Sequence, residues 1–322
     1  MKVSVVMPVY NGGKYLRAAI DSILNQSYTE FEFIIINDCS KDSTEDIIFS
    51  YDDSRIVYLK NEKNLGVARS LNRGLDSAKG QYIARLDADD IARPERLKIQ
   101  VEYMDNHPEV DVLATSSQSF DEKGVLFEGH TSTDEDILKI DFLFSCGICH
   151  PTVMMRKSIL EDKCLRYDNA FNKVEDYELW TRMLSMGCVI RSIDIILLDH
   201  RLHQNQVTSV YSEEMIQKLK KLHKRTLNEL NISYTDNEFE NFCNFCLSEA
   251  SSDKTNYQML CGLLEKILNS NKYNRKKMQR YCKGFAVRVL KDKDMSKQEK
   301  LNFCRSSSFL SFLDTIRYSF CK

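Results

Sequence analysis

Short apolar runs alternate with amphipathic stretches along the first third of the chain. Runs of strand length cover residues 3–7, 31–36 and 55–59, and a fourth extends from Gln81 to Leu86. Between these runs, apolar residues recur at steps of three and four, which is the spacing of a helix with one buried face. The resulting order, β-α-β-α-β-α-β, predicts an α/β fold in which a mostly parallel central sheet is flanked by helices.

Three of the four predicted strands end in polar turns. The first is followed by Pro8 to Gly13, the second by Asn37 to Thr44, and the fourth by Asp87-Ala88-Asp89-Asp90. Because an open α/β sheet binds ligands beyond the carboxyl ends of its strands, we expect these turns to line one crevice. The three carboxylates repel one another unless a cation neutralises them, which favours Mg²⁺ or Mn²⁺. The alternative is that Asp90 caps the next helix and the other acids are solvated.

The rest of the pattern predicts a second half of this domain and a helical extension. The elements predicted after residue 109 are, in order, a strand (110–115), a hairpin (116–130), an amphipathic helix (Asp134 to Phe144) and a strand (188–198). From about residue 212 the chain has the pattern of successive amphipathic helices. We therefore predict an α/β domain over residues 1–210, divided near residue 115, and a helical extension over residues 211–322.

Composition narrows the class of protein. The chain has 322 residues and a net charge of −2, so its overall charge gives no reason to expect a nucleic-acid partner. We expect neither a signal peptide nor a membrane span, because no apolar window approaches roughly 18 residues. The 11 scattered cysteines indicate reduced thiols in a cytoplasmic protein. Two Cys-x-x-Cys pairs, Cys146/Cys149 and Cys243/Cys246, leave a zinc site open as an alternative to buried apolar thiols.

Two common nucleotide-binding motifs are missing from the sequence. No G-x-G-x-x-G follows the first strand, and no G-x-x-x-x-G-K-[ST] occurs anywhere. A dinucleotide-binding Rossmann enzyme and a P-loop nucleotidase are both disfavoured on this ground.

Four motifs, taken in order, carry a family resemblance. They are Pro8-Val9-Tyr10-Asn11, Asn37-Asp38-Cys39-Ser40-Lys41-Asp42, Asn64-x-Gly66 with Asn72, and Leu86-Asp87-Ala88-Asp89-Asp90. Over about residues 1–210 the chain resembles the family 2 glycosyltransferases of bacterial cell-surface polysaccharide synthesis, which have the GT-A nucleotide-sugar-binding fold. One departure is Asn37, which stands where the family usually has the first Asp of Asp-Asp-x-Ser. The resemblance implies an inverting, metal-dependent transfer of a sugar from a nucleotide diphosphate, with UDP favoured, to a hydroxyl of a glycan or lipid-linked oligosaccharide.

The resemblance also implies roles for single residues in the nucleotide-binding half, residues 1–115. The implied nucleotide-binding residues are Pro8, Tyr10, Asn11, Asp38, Arg69 and Asp87. Asp38 would accept a hydrogen bond from the base, and Asp89 would bind the divalent cation, Mn²⁺ or Mg²⁺, that bridges the diphosphate. Arg69 and Arg85 would contact base or phosphate, or else form surface ion pairs.

The stretch from Asn172 to Trp180 predicts a helix with Glu175 and Asp176 in its first turn. Acidic residues are favoured there by the helix dipole alone. The stretch also resembles the Glu-Asp motif that supplies the general base of the family, which implies Asp176 as the base and Glu175 as a supporting or acceptor-binding residue. Such a base contributes roughly 10²–10⁴-fold to the rate. Trp180 is predicted to lie in the core rather than to bind sugar.

Three residues of the acceptor half, residues 116–210, are further candidates. His150 resembles a recurrent position near the acceptor, although a structural histidine fits equally well. Arg201 and His203 begin a segment that resembles the Arg-x-His-x-x-Gln-x-x-Ser sequence at the end of many related catalytic domains. They are predicted to contact the diphosphate, with capping and loop roles as the alternative.

The C-terminal region is basic. Between Lys272 and Lys322 there are 14 Lys and Arg against 4 Asp and Glu, and the stretch from Phe309 to Phe320 is amphipathic and aromatic. Such a segment can lie on an anionic membrane, so we predict peripheral contact with the inner face of the cell membrane. A packed helical appendage and an oligomerisation surface are the alternatives.

Two other functions stay open at this point. A sugar-nucleotide nucleotidyltransferase also uses an acidic metal site, but the Gly-rich basic loop expected near its N-terminus is missing here. A catalytically dead nucleotide-sugar-binding or scaffold protein would keep the fold, and the intact Asp89 and Asp176 argue against it.

Overall fold

A computed structural model describes residues 1–203, 212–247 and 257–290, and the structural statements below refer to these residues. The strands are β1 (Val3–Val9), β2 (Phe31–Asn37), β3 (Ile56–Lys60), β4 (Tyr82–Arg85), β5 (Ile91–Ala92), β6 (Val112–Asp121), β7 (Gly124–Gly129), β8 (Met154–Arg156) and β9 (Ile190–Arg201). The α-helices are α1 (Leu16–Leu24), α2 (Thr44–Phe49), α3 (Val67–Ser77), α4 (Arg96–Asn106), α5 (Glu135–Phe144), α6 (Lys157–Asp162), α7 (Glu175–Ser185), α8 (Glu213–Glu229), α9 (Asp236–Cys246), α10 (Tyr257–Asn269) and α11 (Arg275–Leu290).

The described strands form one mixed sheet in the order β3-β2-β1-β4-β8-β6-β9-β5, with β7 paired to β6. The first four strands pair in parallel, as expected for successive β-α-β units. Strand β8 runs antiparallel to β4 and β6, whereas β6 and β9 are parallel. The predicted α/β fold is confirmed, and every antiparallel pair includes a strand from residues 112–201.

Burial explains the continuous apolar sequence of the central strands. All seven residues of β1 and all seven of β2 are buried, as expected for parallel strands covered on both faces. The buried face of α1, with Leu16, Ile20 and Ile23, belongs to the same core cluster as alternate residues of β1 and β2. The sheet is thereby held rigidly beneath the loops at its carboxyl edge.

A buried polar network joins β1 and β2 to the start of β4. Ser4 Oγ donates to Glu32 Oε1 (2.6 Å), and the same oxygen accepts from Lys79 N (2.7 Å). Gly80 N donates to Ser4 Oγ (2.8 Å). Glycine is required at this position, because an added Cβ would lie 2.5 Å from Ser4 N.

One alternative drawn from the sequence is wrong. The alternative in which Asp90 caps the next helix requires that helix to start directly after Asp90, but α4 begins only at Arg96, and strand β5 comes first and pairs antiparallel with β9. The backbone of residues 91–93 is hydrogen-bonded to β9 instead, since Arg93 N also donates to Leu197 O (3.0 Å). Asp90 therefore caps no helix, and the alternative that gave it only this role is excluded.

The chain divides into two compact units, of which the described parts are residues 1–138 with 146–203, and residues 139–145 with 212–247 and 257–290. Residues 139–145, predicted to lie in the acceptor half, group with the second unit. The reason is Phe144, whose ring stacks on Tyr281 (5.1 Å between centroids) and packs against Phe242. The predicted limits at residues 115 and 210 stay predictions.

The second unit is helical in its described part. Thr235 and Glu238 form a capping box at the start of α9, as the sequence pattern of a helix N-terminus requires. His223 of α8 is buried edge-on against Phe242, and burial lowers its pKa to about 4. Among the described helices none is both long and apolar enough to cross a bilayer. The predicted amphipathic segment from Phe309 to Phe320 lies outside the described residues.

Candidate active site

Three aspartates just beyond the carboxyl end of β4 form the centre of the site. One carboxylate oxygen from each of Asp87, Asp89 and Asp90 lies within 4.8 Å of the other two. In the described part of the chain, this is the only cluster of three His, Cys, Asp or Glu side chains so arranged. Asp87 and Asp89 have side chains 32% and 27% exposed, whereas Asp90 is fully buried. Asp87-Ala88-Asp89 is thus a DXD-like motif with a third carboxylate behind it.

The donor set of this cluster fits a hard divalent cation. Burial raises the pKa of Asp90 well above its usual value, and the charges of Asp87 and Asp89 raise it further. Burial also raises the pKa of Asp87, against the opposing charge of Arg85. Asp90 Oδ2 is buried and has no hydrogen-bond partner among the described residues. Carboxylate oxygens are the ligands that Mg²⁺ and Mn²⁺ prefer, and a cation would reverse these pKa shifts.

The end of β9 and the residues that follow it contact this cluster. Arg201 N donates to Asp90 Oδ1 (2.9 Å), and Arg201 Nε donates to Asp89 O (2.9 Å). His203 Nε2 lies 2.9 Å from Asp89 Oδ2. The Arg201 guanidinium also packs on the rings of Tyr15 and Phe120, at 4.5 and 4.4 Å. Arg201 and His203 are thus beside the aspartates, and the remainder of their segment, from residue 204, lies outside the described residues.

A buried arginine is paired with one of the aspartates, and its charge also acts on a second acidic site. Arg85 ends β4, is 4% exposed and donates from Nη1 to Asp87 Oδ2. Its Nε has no hydrogen-bond partner in the described part of the chain. Burial raises the pKa of Glu175 and of Asp176, and the positive charge of Arg85 opposes both shifts. The surface ion pair considered for Arg85 is therefore wrong, because the end of β4 is enclosed.

Glu175 and Asp176 lie in the first turn of α7, as predicted. Asp176 Oδ1 accepts from Tyr177 N (2.7 Å), and the Cys146 thiol donates to Asp176 Oδ2 (3.8 Å). Burial raises the pKa of Glu175 to about 7, and the adjacent charge of Asp176 contributes. The charge of Asp87 also raises the pKa of Asp176, so the two acidic sites interact. Glu175 Oε2 is buried with no hydrogen-bond partner among the described residues.

His150 packs edge-on against Trp180, which belongs to α7 (5.9 Å between ring centroids). His150 is 8% exposed, and its Nε2 lies 2.8 Å from the Tyr167 hydroxyl. Burial lowers the pKa of His150 well below its usual value, so the ring is neutral. This environment favours the structural alternative for His150, and contact with an acceptor stays a prediction. Trp180 is fully buried, as the core assignment requires.

The turns after β1 and β2 are joined directly. Asn11, with φ of 51°, donates from its backbone N to Ser40 Oγ (2.9 Å) and accepts at Oδ1 from Lys41 N (2.8 Å). Gly12 N donates to Thr44 Oγ1 (3.0 Å). The two strand-end turns therefore form one rim, as expected. Pro8 is buried within β1 and Tyr10 is 52% exposed, so Tyr10 is available to a ligand.

Asp38 organises the loop between β3 and α3. Its Oδ1 accepts from Asn61 Nδ2 (2.7 Å) and Leu65 N (2.8 Å), and its Oδ2 accepts from Gly66 N (2.9 Å). A carboxylate has about four acceptor positions, so capacity for a base N–H remains. Arg69, in the first turn of α3, is exposed, and no contact among the described residues links it to the aspartates.

An amide side chain from α3 pairs with the backbone that leads to α7. Asn72 Nδ2 donates to Tyr167 O (2.8 Å), and Tyr167 N donates to Asn72 Oδ1 (2.8 Å). Close by, a Cβ on Gly66 would lie 3.1 Å from Asn172 Oδ1. These contacts fix the first half of the unit against the segment that carries Glu175 and Asp176.

The cysteine pairs lack the features of a zinc site. Burial raises the pKa of all four thiols, Cys146, Cys149, Cys243 and Cys246. The two pairs belong to different units, and no cysteine belongs to a candidate metal cluster in the described residues. Buried apolar thiols, the other alternative, describe them better.

Comparison with known proteins identifies the family. The model for Glycosyl transferase family 2 matches residues 4–163. An uncharacterized glycosyltransferase of Methanocaldococcus jannaschii is 39% identical over 207 residues, which cover 62% of this chain and 70% of that protein. The chain belongs to glycosyltransferase family 2. The predicted family is confirmed, and the nucleotidyltransferase alternative has no support.

Two further proteins, one related in sequence and one in fold, are similar to this chain. WfaP of Escherichia coli, a UDP-Glc:alpha-D-GlcNAc-diphosphoundecaprenol beta-1,3-glucosyltransferase, is 32% identical over 214 residues, covering 66% of this chain and 82% of WfaP. The crystal structure of S. aureus TarS 1-349 in complex with UDP-GlcNAc matches with a TM-score of 0.62 and 20% identity, covering 99% of this chain and 90% of that one. The TarS likeness confirms the GT-A fold of the glycosyltransferase.

Reasoning from sequence placed Asp90 among the three carboxylates but missed two other features of this site. Arg85 is buried and charged, and the only sign of this is its position at the end of an apolar strand. Asn61, which binds Asp38, carries no sequence signal, because the contact depends on how the loop after β3 folds.

Proposed function

We propose that this glycosyltransferase transfers a sugar with inversion from a UDP-sugar to a hydroxyl of a glycan or lipid-linked oligosaccharide. One observation carries the proposal. The buried Arg85 donates to Asp87 of the carboxylate cluster, and its charge also opposes the raised pKa of Glu175 and of Asp176, so a cluster suited to a metal is close to a pair suited to proton abstraction. Residues 1–210 would be the catalytic domain and residues 211–322 an extension.

The donor proposal rests on the strand-end turns and on the relatives. WfaP is named for UDP-Glc, and TarS was crystallised with UDP-GlcNAc, so UDP is the favoured carrier. The residues proposed to hold the nucleotide are Pro8, Tyr10, Asn11, Asp38, Arg69 and Asp87. Asp89, with Asp87 and Asp90, would hold Mn²⁺ or Mg²⁺, which when bound supplies positive charge against the diphosphate. Arg201 and His203, beside Asp89, would contact the diphosphate.

The catalytic proposal assigns the proton transfer to Asp176. Its carboxylate would take the proton from the acceptor hydroxyl while that oxygen attacks the anomeric carbon and the bond to the nucleoside diphosphate breaks on the opposite face. The N-terminus of α7 favours an ionised carboxylate at this position. Glu175, with Oε2 buried and unbonded among the described residues, would accept a hydrogen bond from the acceptor sugar, and His150 would support this side of the site.

The acceptor proposal includes the membrane. WfaP is named for a diphosphoundecaprenol acceptor, which supports a lipid-linked acceptor for this enzyme as well. The basic region from Lys272 onward would then make peripheral contact with the inner face of the cell membrane, in a cytoplasmic protein.

A thermal-shift panel tests the donor and metal proposals together. UDP, dTDP and GDP are compared with and without Mn²⁺, for the wild type and for Asp89→Ala. Since a ligand at 100 times its Kd stabilises the folded state by about 2.7 kcal/mol, UDP with Mn²⁺ is expected to raise the midpoint clearly. Asp89→Ala is expected to lose the Mn²⁺-dependent part. A wild-type shift that is equal with and without Mn²⁺ would contradict the metal assignment.

A further inference from the structure

Strand β7 exposes a run of apolar side chains. Val125, Leu126 and Phe127 are 61%, 49% and 56% exposed, and they are consecutive, so both faces of the strand present apolar surface. Among the described strands β7 pairs with β6 alone, which leaves its outer edge without a strand neighbour. Single exposed apolar residues need no explanation, but a contiguous run on an edge strand does.

This strand belongs to the hairpin that borders the carboxylate cluster. The turn between β6 and β7 is tied to the loop after β1, because Lys14 Nζ donates to Glu122 Oε1 (2.8 Å). On the β6 side, the Phe120 ring packs on Arg201, whose Nε donates to Asp89 O. The apolar run therefore begins a few residues from the side chains proposed to hold the metal and diphosphate.

The size of the run argues against a protein partner. Three half-exposed side chains offer on the order of 300 Å², whereas a stable protein interface takes roughly 800 Å² from each partner. The same area suffices for shallow insertion of side chains into the interface of a bilayer. The backbone of β7 would stay at the hydrated surface, because its free N–H and C=O groups need water.

The charges around β7 indicate whether this surface would bind anionic or neutral lipid. Between residues 121 and 130 the three acids Asp121, Glu122 and Glu128 outnumber the two basic residues, Lys123 and His130. This surface is not attracted to anionic lipid, so any binding through β7 is driven by apolar contact and depends little on salt. That separates it from the basic C-terminal region, whose binding needs anionic lipid and weakens with salt.

We propose that Val125, Leu126 and Phe127 of β7 form a membrane-contact surface that inserts into the interface of a lipid bilayer. The hairpin would thereby bring the site to the level of a lipid-linked acceptor. The statement about the lipid-linked acceptor rests on the proposed function, whereas membrane binding through β7 does not.

Vesicle co-sedimentation of the full chain tests the proposal. The probes are vesicles of phosphatidylcholine alone and of phosphatidylcholine with phosphatidylglycerol, each at low and high salt. The triple variant Val125→Thr, Leu126→Thr, Phe127→Thr keeps β propensity and removes the apolar surface. The control Phe49→Thr, Met186→Thr removes exposed apolar side chains elsewhere in the same unit, 64% and 41% exposed.

We expect the wild type and the control to bind phosphatidylcholine vesicles at both salt concentrations, and the triple variant to bind about tenfold more weakly or worse. Binding that requires phosphatidylglycerol, falls with salt and is equal in the triple variant would overturn the proposal in favour of the basic region. A wild type that is dimeric in sedimentation and a triple variant that is monomeric would overturn it in favour of a second copy. Absence of vesicle binding by the wild type would also overturn it.

Transfer assays distinguish a failure of this membrane proposal from a failure of the proposed function. The triple variant is expected to keep transfer to a water-soluble acceptor and to lose transfer to the same acceptor on vesicles. If no transfer occurs to either acceptor while vesicle binding still depends on β7, the proposed function fails and the membrane surface stands.

Discussion

At the scale of single residues, the site keeps negative charge where the fold disfavours it. Glu175 and Asp176 are both raised in pKa by burial, and Arg85 opposes the shift of each without contributing a hydrogen bond that the structure describes. A base must be ionised at the working pH and yet basic enough to take a proton, so a raised pKa suits this task. As a consequence, two carboxylates are poorly solvated. Substitution of Asp176 tests its role in transfer, and substitution of Glu175 tests the effect on stability.

Asp176→Asn is expected to lower transfer by roughly 10²–10⁴-fold, because the amide cannot take the proton from the acceptor. Nucleotide binding should be unchanged, since the proposed nucleotide contacts lie on other elements. Steady-state transfer and UDP-dependent thermal stabilisation are measured side by side. Asp162→Asn, at an exposed position at the end of α6, is the matched control. Normal transfer by Asp176→Asn would remove Asp176 as the base.

Glu175→Gln is expected to stabilise the fold at pH 8 by on the order of 1–3 kcal/mol. The folded-state pKa of Glu175 is about 7, above its ordinary 4.5. The fold therefore favours the protonated form of Glu175. The stabilisation that this form provides is complete below pH 4.5 and is lost as the pH rises through 7. The gain from Gln should accordingly shrink between pH 8 and pH 5. Urea unfolding at both values checks this, and an equal difference at the two would disprove it.

At the scale of elements, the sequence pattern predicted what local periodicity determines. Strands β1 to β4 and helix α7 follow from apolar runs and helical spacing, and the acids at their ends follow from the turns. What it could not predict depends on pairing between distant segments. Strand β5 has only two residues and exists because β9 offers it a partner, and Asp38 binds a loop whose path no short-range signal specifies.

Gly80→Ala is expected to destabilise the first unit by about 1–3 kcal/mol, because its Cβ would meet the backbone of Ser4 and disturb the hydrogen bonds to Glu32. The measurement is the urea midpoint of unfolding. Gly129→Ala is the control, since its Cβ would lie 3.4 Å from Ser117 Oγ, an ordinary contact. Equal midpoints for the two variants would show that β1 can shift to accommodate the methyl group.

At the scale of the whole molecule, charge is separated along the chain. The whole chain carries −2 and residues 272–322 carry an excess of 10 bases, so residues 1–271 carry −12. Buried groups of opposite kinds occur in the first unit, where acids near the site have a raised pKa and His150 has a lowered one. The second unit contains His223, with a pKa lowered to about 4. The buried acids and the buried histidines respond to acid in opposite directions.

His223 is expected to make the protein sensitive to acid. Its folded-state pKa lies below the ordinary 6.5, so the unfolded chain takes up a proton first. The contribution of neutral His223 to the free energy of unfolding is complete above pH 6.5. It is lost as the pH falls towards 4, by about 3 kcal/mol at most. His223→Gln should flatten the pH dependence of unfolding in this range, whatever it does to stability at pH 8.

The pairing of Asn72 with the backbone at Tyr167 has a consequence for protein engineering. Exchanging the nucleotide half for that of another enzyme is an obvious route to a new donor, with the junction near residue 115. The foreign half would have to bring an amide in the place of Asn72 and a residue as small as Gly66 opposite Asn172. A hybrid without them would misalign Glu175 and Asp176 with the strand-end turns of the other half. Whether a hybrid is active should therefore depend on these contacts between the two halves, rather than on the overall sequence similarity of the parent enzymes.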